Sequence, residues 1–279
     1  MNVFKTPLKP QRGSKLKEAD SSFSLARSLK RPSDLNSRKN ENPYLIQNLL
    51  IDDGIVLCAG LPKVKKSFFV ADLLVSISTA TKAFSIFDVM KRGPCLLIQG
   101  EDSEEIIRSR LEAIALSRGL SLSRLNDIFI TSTQDFKLDN PEHLNDLEQT
   151  VQKLGVVAVF IDPLSRLIST SDGSAAPMGR LLTSLRAFQR RTKICLALVT
   201  HMRKGKSESD LGAIKGVGDL RSAYDQGILL TKPCGEITQC SFDFKSVGQL
   251  PDMFFHLQNV NGFPVPIMVG ADQIRSKVV

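Results

Sequence analysis

Ile55-Val-Leu-Cys-Ala-Gly-Leu-Pro-Lys-Val-Lys-Lys-Ser67 decides how this chain is read. An apolar strand, Ile55 to Ala59, runs into a loop from Gly60 to Ser67, and an apolar helix from Ser67 to about Lys82 follows without a break. That is the layout of a phosphate-binding P-loop, in which the turn aims backbone N–H groups inward and the helix offers its positive N-terminal end. Gly60, Pro62, Lys63, Val64 and Lys65 build the loop, Lys66 reaches the β- and γ-phosphates, Ser67 holds Mg²⁺, and Phe68 opens the helix. One position departs from the pattern: Lys65 stands where a second glycine is usual. If φ is positive there, a Cβ costs about 1 kcal/mol, and the extra charge could compensate by pairing with phosphate. A Gly-to-Lys-Ser string alone is common by chance, so the weight falls on what the other strands carry.

Working outward, Pro43 to Ile51 is a short lead-in and Asp52-Asp53-Gly54 a turn before the first core strand. Downstream, Cys95 to Gln99, Ile128 to Thr131, Val156 to Ile161 and Ile194 to Val199 are short apolar runs, the third a β-branched stretch of the kind buried on both faces. Helices alternate with them. One starts from Ser103 as N-cap and carries Ile106, Ile107, Leu111, Ile114 and Ala115 at helical spacing; Pro141 opens a second to Lys153, and a third spans about Pro177 to Arg191. Strand–helix alternation of this length predicts an α/β fold with a mostly parallel central sheet. Beyond Asp225, the runs Gly227 to Thr231, Ile237 to Phe244 and Met253 to Leu257 predict antiparallel strands added at one edge near the C-terminus.

In an open parallel sheet, ligands sit beyond the carboxyl ends of the strands. Three strands here end in groups suited to phosphate chemistry. Asp162 follows an apolar strand and reads as the acid that holds Mg²⁺; its other reading is a cap for Pro163-Leu164-Ser165. Glu101 is placed to polarise water attacking a γ-phosphate, or else belongs with Asp102 to the acidic first turn of a helix. His201 ends the Ile194 to Val199 strand and reads as a γ-phosphate contact, with a core histidine as the alternative. The loop from Met202 to Lys215 places Arg203, Lys204 and Lys206 among Gly and Ser, as a nucleic-acid-contacting loop or as a solvated one.

Composition narrows the class. The 279 residues are 42% hydrophobic and 24% charged, ordinary for a globular domain. No apolar run reaches the roughly 18 to 20 residues that cross a bilayer, and the N-terminus lacks an apolar signal stretch, so the expected location is cytoplasmic. The five cysteines have no metal-ligand spacing and are expected as free thiols, with Cys58, Cys95 and Cys195 inside strands. Net charge is +8, and residues 1–43 hold +6 of it, from ten Lys or Arg against four Asp or Glu. This Ser-, Pro- and Asn-rich arm buries too little to offset its ordering entropy and is expected to be disordered, leaving 44–279 as the folded domain. Such an arm suits salt-sensitive binding to nucleic-acid phosphates; a solvated tail is the other reading.

Taken in order, Gly60-Leu-Pro-Lys-Val-Lys-Lys-Ser67, Gly100-Glu-Asp-Ser103 with Arg110-Leu111, Ile161-Asp-Pro-Leu164 and Val199-Thr-His201 with Lys204 resemble the motifs of RecA-type P-loop ATPases related to the RepA replicative helicase of plasmids and mobile elements. The likeness covers about 44 to 230, roughly two-thirds of the chain. It implies a RecA-like core, a homo-oligomeric ring with ATP at subunit interfaces, and DNA, single-stranded, in a central pore. It also implies ATP with Mg²⁺ as cofactor, Lys66 and Ser67 on phosphate and metal, Glu101 as the catalytic carboxylate, Asp162 as the Walker B acid, and His201 as sensor. Lys215 aligns with an arginine that family members insert into the neighbour's site, and Arg221 is the substitute candidate. The family often has histidine where Met202 stands and glycine where Lys65 stands. The function expected is an ATP-hydrolysing DNA motor of a plasmid, phage or mobile element. The alternatives are a slow or non-hydrolysing accessory protein and a recombination mediator acting on DNA. A small-molecule kinase would need an arginine-bearing lid and an acceptor pocket, and the sequence offers neither.

Overall fold

The computed structural model describes residues 31–34, 42–133, 135–169, 175–202, 224–245, 248, 250–260 and 262–270. The chain divides into two units, Met1–Glu41 and Asn42–Val279, and the sheet and helices of the fold belong to the second. Most of the basic arm, together with Arg203, Lys204, Lys206, Lys215 and Arg221, lies outside the described residues.

The strand of the opening motif, β3 (Gly54–Gly60), is buried along its whole length. Side chains alternate across a strand, and here Val56 and Cys58 enter one core while Ile55, Leu57 and Ala59 enter the other. A strand with apolar residues on both faces can only sit inside a sheet covered on both sides. β3 is accordingly central in a nine-stranded sheet of order β11-β10-β9-β8-β3-β7-β6-β4-β5. Its other members are β4 (Cys95–Gln99), β5 (Ile128–Ser132), β6 (Ala158–Asp162), β7 (Cys195–His201), β8 (Gln226–Cys234), β9 (Ile237–Phe244), β10 (Met253–Val260) and β11 (Phe263–Met268). A small hairpin, β1 (Tyr44–Ile46) with β2 (Leu50–Ile51), precedes it, tied on by the buried Gln226 side chain, which donates to Leu49 O and accepts from Ile51 N.

The helices α1 (Lys66–Thr79), α2 (Glu104–Ser117), α3 (Pro141–Leu154) and α4 (Ala175–Thr192) complete three layers. Residues of α1 and α2 join one core; those of α3 and α4 join the other. Each fully buried Leu, Ile, Val or Phe stabilises the fold by about 1.5–3 kcal/mol relative to leaving it exposed. The ring cluster Phe69, Phe84 and Phe255, with centroids 5.4 to 6.4 Å apart, locks α1 to β10. α2 is capped as its sequence predicts, Ser103 Oγ accepting from Ile106 N, and α3 has Asn140 as cap before Pro141.

Several expectations are corrected. The Gly227 to Thr231 run lies in β8, which pairs parallel with β3; antiparallel pairing begins only at β9. The physical reason is visible in the run itself: Gln226 to Leu230 is buried without alternation, the pattern of an internal parallel strand, whereas the tight turn at Gly235 (φ 49°) forces β9 to return antiparallel. Ile106 points to solvent, 44% exposed, whereas Ile107, Leu111, Ile114 and Ala115 of that set are buried in the core. The first helix ends at Thr79 rather than near Lys82, with Ala80 in the left-handed conformation.

α1 also buries an acid. Asp72 is 1% exposed, and its carboxylate accepts from Phe84 N at 2.8 Å and from Arg118 Nη2 at 2.5 Å; Arg118 Nη1 in turn donates to Ser76 and Thr81. At the far edge, β11 reads Phe-Pro-Val-Pro-Ile-Met, and its ladder to β10 runs unbroken from Phe263 to Met268. Among the described residues, no helix is long and apolar enough to cross a membrane.

Candidate nucleotide site

Register brings the motif residues together at the carboxyl ends of the central strands. Gly60 is level with His201 on one side and Leu230 on the other, and Gln99 is level with Asp162. The loop between β3 and α1 therefore lies between the ends of β7 and β8, with the ends of β6 and β4 next in order beyond β7.

Within that loop, Lys63 and Lys65 have φ of 68° and 67°. The strained position foreseen for Lys65 is real, and its Cβ carries a cost of about 1 kcal/mol. Left-handed residues in a turn build the concavity of inward N–H groups that binds anions. α1 begins immediately after, with no side-chain cap at its N-terminus, and among the described residues the N–H groups of Lys66 and Ser67 that open it meet no acceptor, while Phe68 N is taken by Lys65 O. Gly60 has a packing reason as well, since a Cβ there would meet Leu230 O at 2.5 Å and Val64 Cγ2 at 2.8 Å.

Lys66 is buried, and its Nζ donates to Gly60 O at 2.9 Å and Leu61 O at 2.8 Å. Burial pushes its ammonium below the ordinary lysine value, while the opposing charges of Asp162 and Glu101 act against that shift. Ser67 Oγ donates to Asp162 Oδ2 at 3.0 Å. Burial pushes the Asp162 carboxyl up, with the Ser67 hydroxyl and the charges of Lys66 and Arg110 pulling it back. Glu101 is half-exposed, with His201 Nε2 at 3.6 Å and Arg166 Nη2 at 3.5 Å. His201 Nδ1 is buried and has no hydrogen-bond partner among the described residues.

These residues fit Mg²⁺ and a phosphate chain. A hydroxyl and a carboxylate within hydrogen-bond distance are the hard oxygen donors Mg²⁺ takes, a buried cation lies in the adjoining loop, and an orphaned imidazole nitrogen waits at the neighbouring strand end. A groove of about 550 Å³ lies elsewhere, between α3 and α4; its charged walls Glu148 and Arg191 pair with each other.

Gly60, Lys66, Ser67, Glu101, Asp162 and His201 thus converge. Lys65 turns away: its Nζ lies 3.6 Å from Glu236 Oε2 on the β8–β9 turn. Pro62, Lys63 and Val64 form the loop as expected, and Phe68 sits under the guanidinium of Arg110, 5.2 Å from its ring centre. Sequence reasoning missed Gln99 and Arg166. Gln99 Oε1 accepts from Glu101 N at 3.1 Å and so fixes the turn that carries Glu101. Its signal was available, because it is the one polar residue ending an otherwise apolar strand at the level of Asp162. Arg166 reaches Glu101 through the short turn Leu164–Arg166, which no spacing rule reveals.

The fold and this site define a RecA-like P-loop ATPase domain. A family model described as an AAA domain matches residues 24–207, and the chain belongs to that family. Among solved structures it is similar to the ATPase domain of G-40P, at 15% identity over 77% of this chain and 84% of that one, with a TM-score of 0.59. It is similar also to the RadB recombinase, at 14% identity over 77% of this chain and 90% of that one, with a TM-score of 0.53. At such identities the likeness is one of fold. No curated protein matches the sequence.

Proposed function

We propose that this chain binds and hydrolyses ATP with Mg²⁺ and works on DNA as a motor of the replicative-helicase kind, in the replication of a plasmid, phage or other mobile element. The observation that carries the reading is the Ser67–Asp162 contact at 3.0 Å beside the buried Lys66, in a loop that opens onto the N-terminus of α1. Mg²⁺, when bound by Ser67 and Asp162, supplies charge neutralisation at the phosphate oxygens. Lys66 leaves its loop carbonyls for phosphate oxygens and stabilises the charge that develops there. Glu101 orients the attacking water and takes its proton, held in place by the Gln99 amide behind it. His201 offers a ring nitrogen to the terminal phosphate from the end of β7.

DNA as partner draws support from the recombinase title of one similar fold and from the excess positive charge of residues 1–43. Assembly into a homo-oligomeric ring, with Lys215 or Arg221 reaching a neighbour's site and Arg203, Lys204 and Lys206 on DNA, belongs to the same proposal. A second reading, a nucleotide-binding accessory or mediator with slow turnover, is favoured by one observation, the strained Lys65 where glycine is usual.

The experiment is ATP turnover by the full chain, with and without single-stranded DNA. DNA-stimulated hydrolysis that falls at least about 100-fold in Lys66→Ala supports the motor. Nucleotide binding without DNA-stimulated turnover selects the accessory reading, and nucleotide binding unaltered by Lys66→Ala overturns both.

A further inference from the structure

We propose that Lys65 is a second phosphate-binding lysine, and that Glu236 at the β8–β9 turn is the counter-ion it gives up when a nucleoside triphosphate enters the loop. The turn would then register whether the loop is filled. This rests on the nucleotide-binding reading above and adds a residue and a linkage to it.

Lys65 and Lys66 are neighbours, with α-carbons about 3.8 Å apart, and an extended lysine side chain reaches about 6 Å from its own. A phosphate seated on the N–H groups of Lys65 and Lys66 lies within one side-chain length of either α-carbon, so Lys65 can reach it by rotation about its side-chain bonds. The positive φ of Lys65 places it at the mouth of α1, where its carbonyl accepts from Phe68 N and Phe69 N, so its backbone is already held and only the side chain has to move.

The present hold on Lys65 is weak. Glu236 has two cationic partners on different oxygens: Lys232 Nζ at 2.7 Å from Oε1 and Lys65 Nζ at 3.6 Å from Oε2. When Lys65 leaves, Glu236 keeps its shorter ion pair, so the acid is not stranded. The bond that breaks is long and largely exposed on the glutamate side, a class of pair that contributes little. The bond that forms is a charge-assisted one to a multiply charged phosphate, roughly twice as strong as a neutral one. The exchange therefore runs toward phosphate.

The hairpin and the loop also touch at two points that do not depend on charge. Thr238 Oγ1, at the start of β9, donates to Val64 O at 3.4 Å, and the Leu230 carbonyl of β8 fills the space where a Gly60 Cβ would go. Release of Glu236 thus frees the turn of a hairpin whose strands, from Thr238 and Leu230 onward, remain fixed to the loop.

The test is a double-mutant cycle on the full chain, reading the affinity of a fluorescent ATP analogue with Mg²⁺. Lys65→Ala should weaken binding at least about ten-fold, the scale of one hydrogen bond between charged groups. Glu236→Gln should tighten it about two-fold when Lys65 is present and leave it unchanged in the Lys65→Ala background. The exposed Lys153→Ala, on α3, controls for net charge and should change nothing. Backbone hydrogen exchange at 234–237 should rise with the triphosphate in the natural chain and stay constant in Lys65→Ala. The inference is overturned by natural affinity in Lys65→Ala, by an equal effect of Glu236→Gln in both backgrounds, or by unchanged exchange at the turn. Lys66→Ala run alongside separates the two levels: if it alone abolishes binding, only the role of Lys65 fails; if it too binds normally, the nucleotide reading itself fails.

Discussion

Two of the buried aspartates, Asp72 within α1 and Asp162 at the end of β6, have surroundings that serve them very differently. Asp72 receives a backbone N–H, a serine hydroxyl and a guanidinium, and the guanidinium's remaining donors find Ser76 and Thr81. Asp162 receives, among the described residues, a single side-chain hydrogen bond, from the Ser67 hydroxyl, and the buried Lys66 of the same loop donates to loop carbonyls. A completed set of partners marks a carboxylate that holds the fold together. An incomplete one, in a place that costs desolvation, marks a carboxylate held ready for something that arrives later.

The contrast breaks most visibly at Arg118. Replacing it by Ala leaves the Asp72 charge buried and unpaired, which costs about 3–5 kcal/mol, or a fall in Tm of roughly 10 °C for a domain of this size. Thermal unfolding followed by circular dichroism measures it; a shift under about 1 kcal/mol would mean that the Asp72 network is dispensable.

Asp162→Asn should behave oppositely, changing stability by less than about 1 kcal/mol while lowering Mg²⁺-dependent nucleotide affinity at least about ten-fold. Its pH signature has a definite sign. Because burial raises the folded-state pKa above the ordinary carboxylate value of 3.8, Asp162 takes up a proton sooner than an exposed acid as pH falls. Metal-dependent binding is lost through that higher window. The stability term runs the other way: the folded state holds a proton that the unfolded chain has released, so this contribution is present at low pH and lost as pH rises through the folded value. A titration of nucleotide binding from about pH 8 to 4 should show the early loss in the natural chain.

The smallest effect is kinetic. Cys58 lies on β3 in the same core as α1, and burial pushes its thiol up to about 12, so it should resist thiol reagents in the native protein while the half-buried Cys234 reacts. Labelling of Cys58 should accelerate several-fold in Arg118→Ala and keep its native rate in Asp162→Asn; equal acceleration in both would erase the distinction between the two acids.

Most of the parallel core was legible because its strands are continuous apolar runs ended by polar residues, and that punctuation marks the candidate site: Asp162 and His201 are where hydrophobicity stops. β8 differs from the expected antiparallel strand because the strands after it are hairpin-linked; its run without alternation marks an internal strand, but which strand lies beside it is set by β3, far back in the chain. Asp72 with Arg118 was illegible for the same reason, since the pair spans 46 positions and α1 read by itself is merely apolar. The loop gave its position between β3 and α1 away in sequence but not the direction of Lys65, which Glu236 on a hairpin far along the chain decides.

The prolines of β11 have a consequence for how the sheet meets other molecules. Pro264 and Pro266 are two apart, so they face the same side, and with the β10 ladder intact that side is the outer one. Two donors are thereby deleted from the margin that any incoming backbone would have to match. At the opposite margin β5 keeps all of its amides and exposes Ile130. Among the described residues, growth of the sheet by annexing a foreign strand is therefore disfavoured at one border and meets a full row of backbone donors at the other, which gives the sheet a preferred direction of extension.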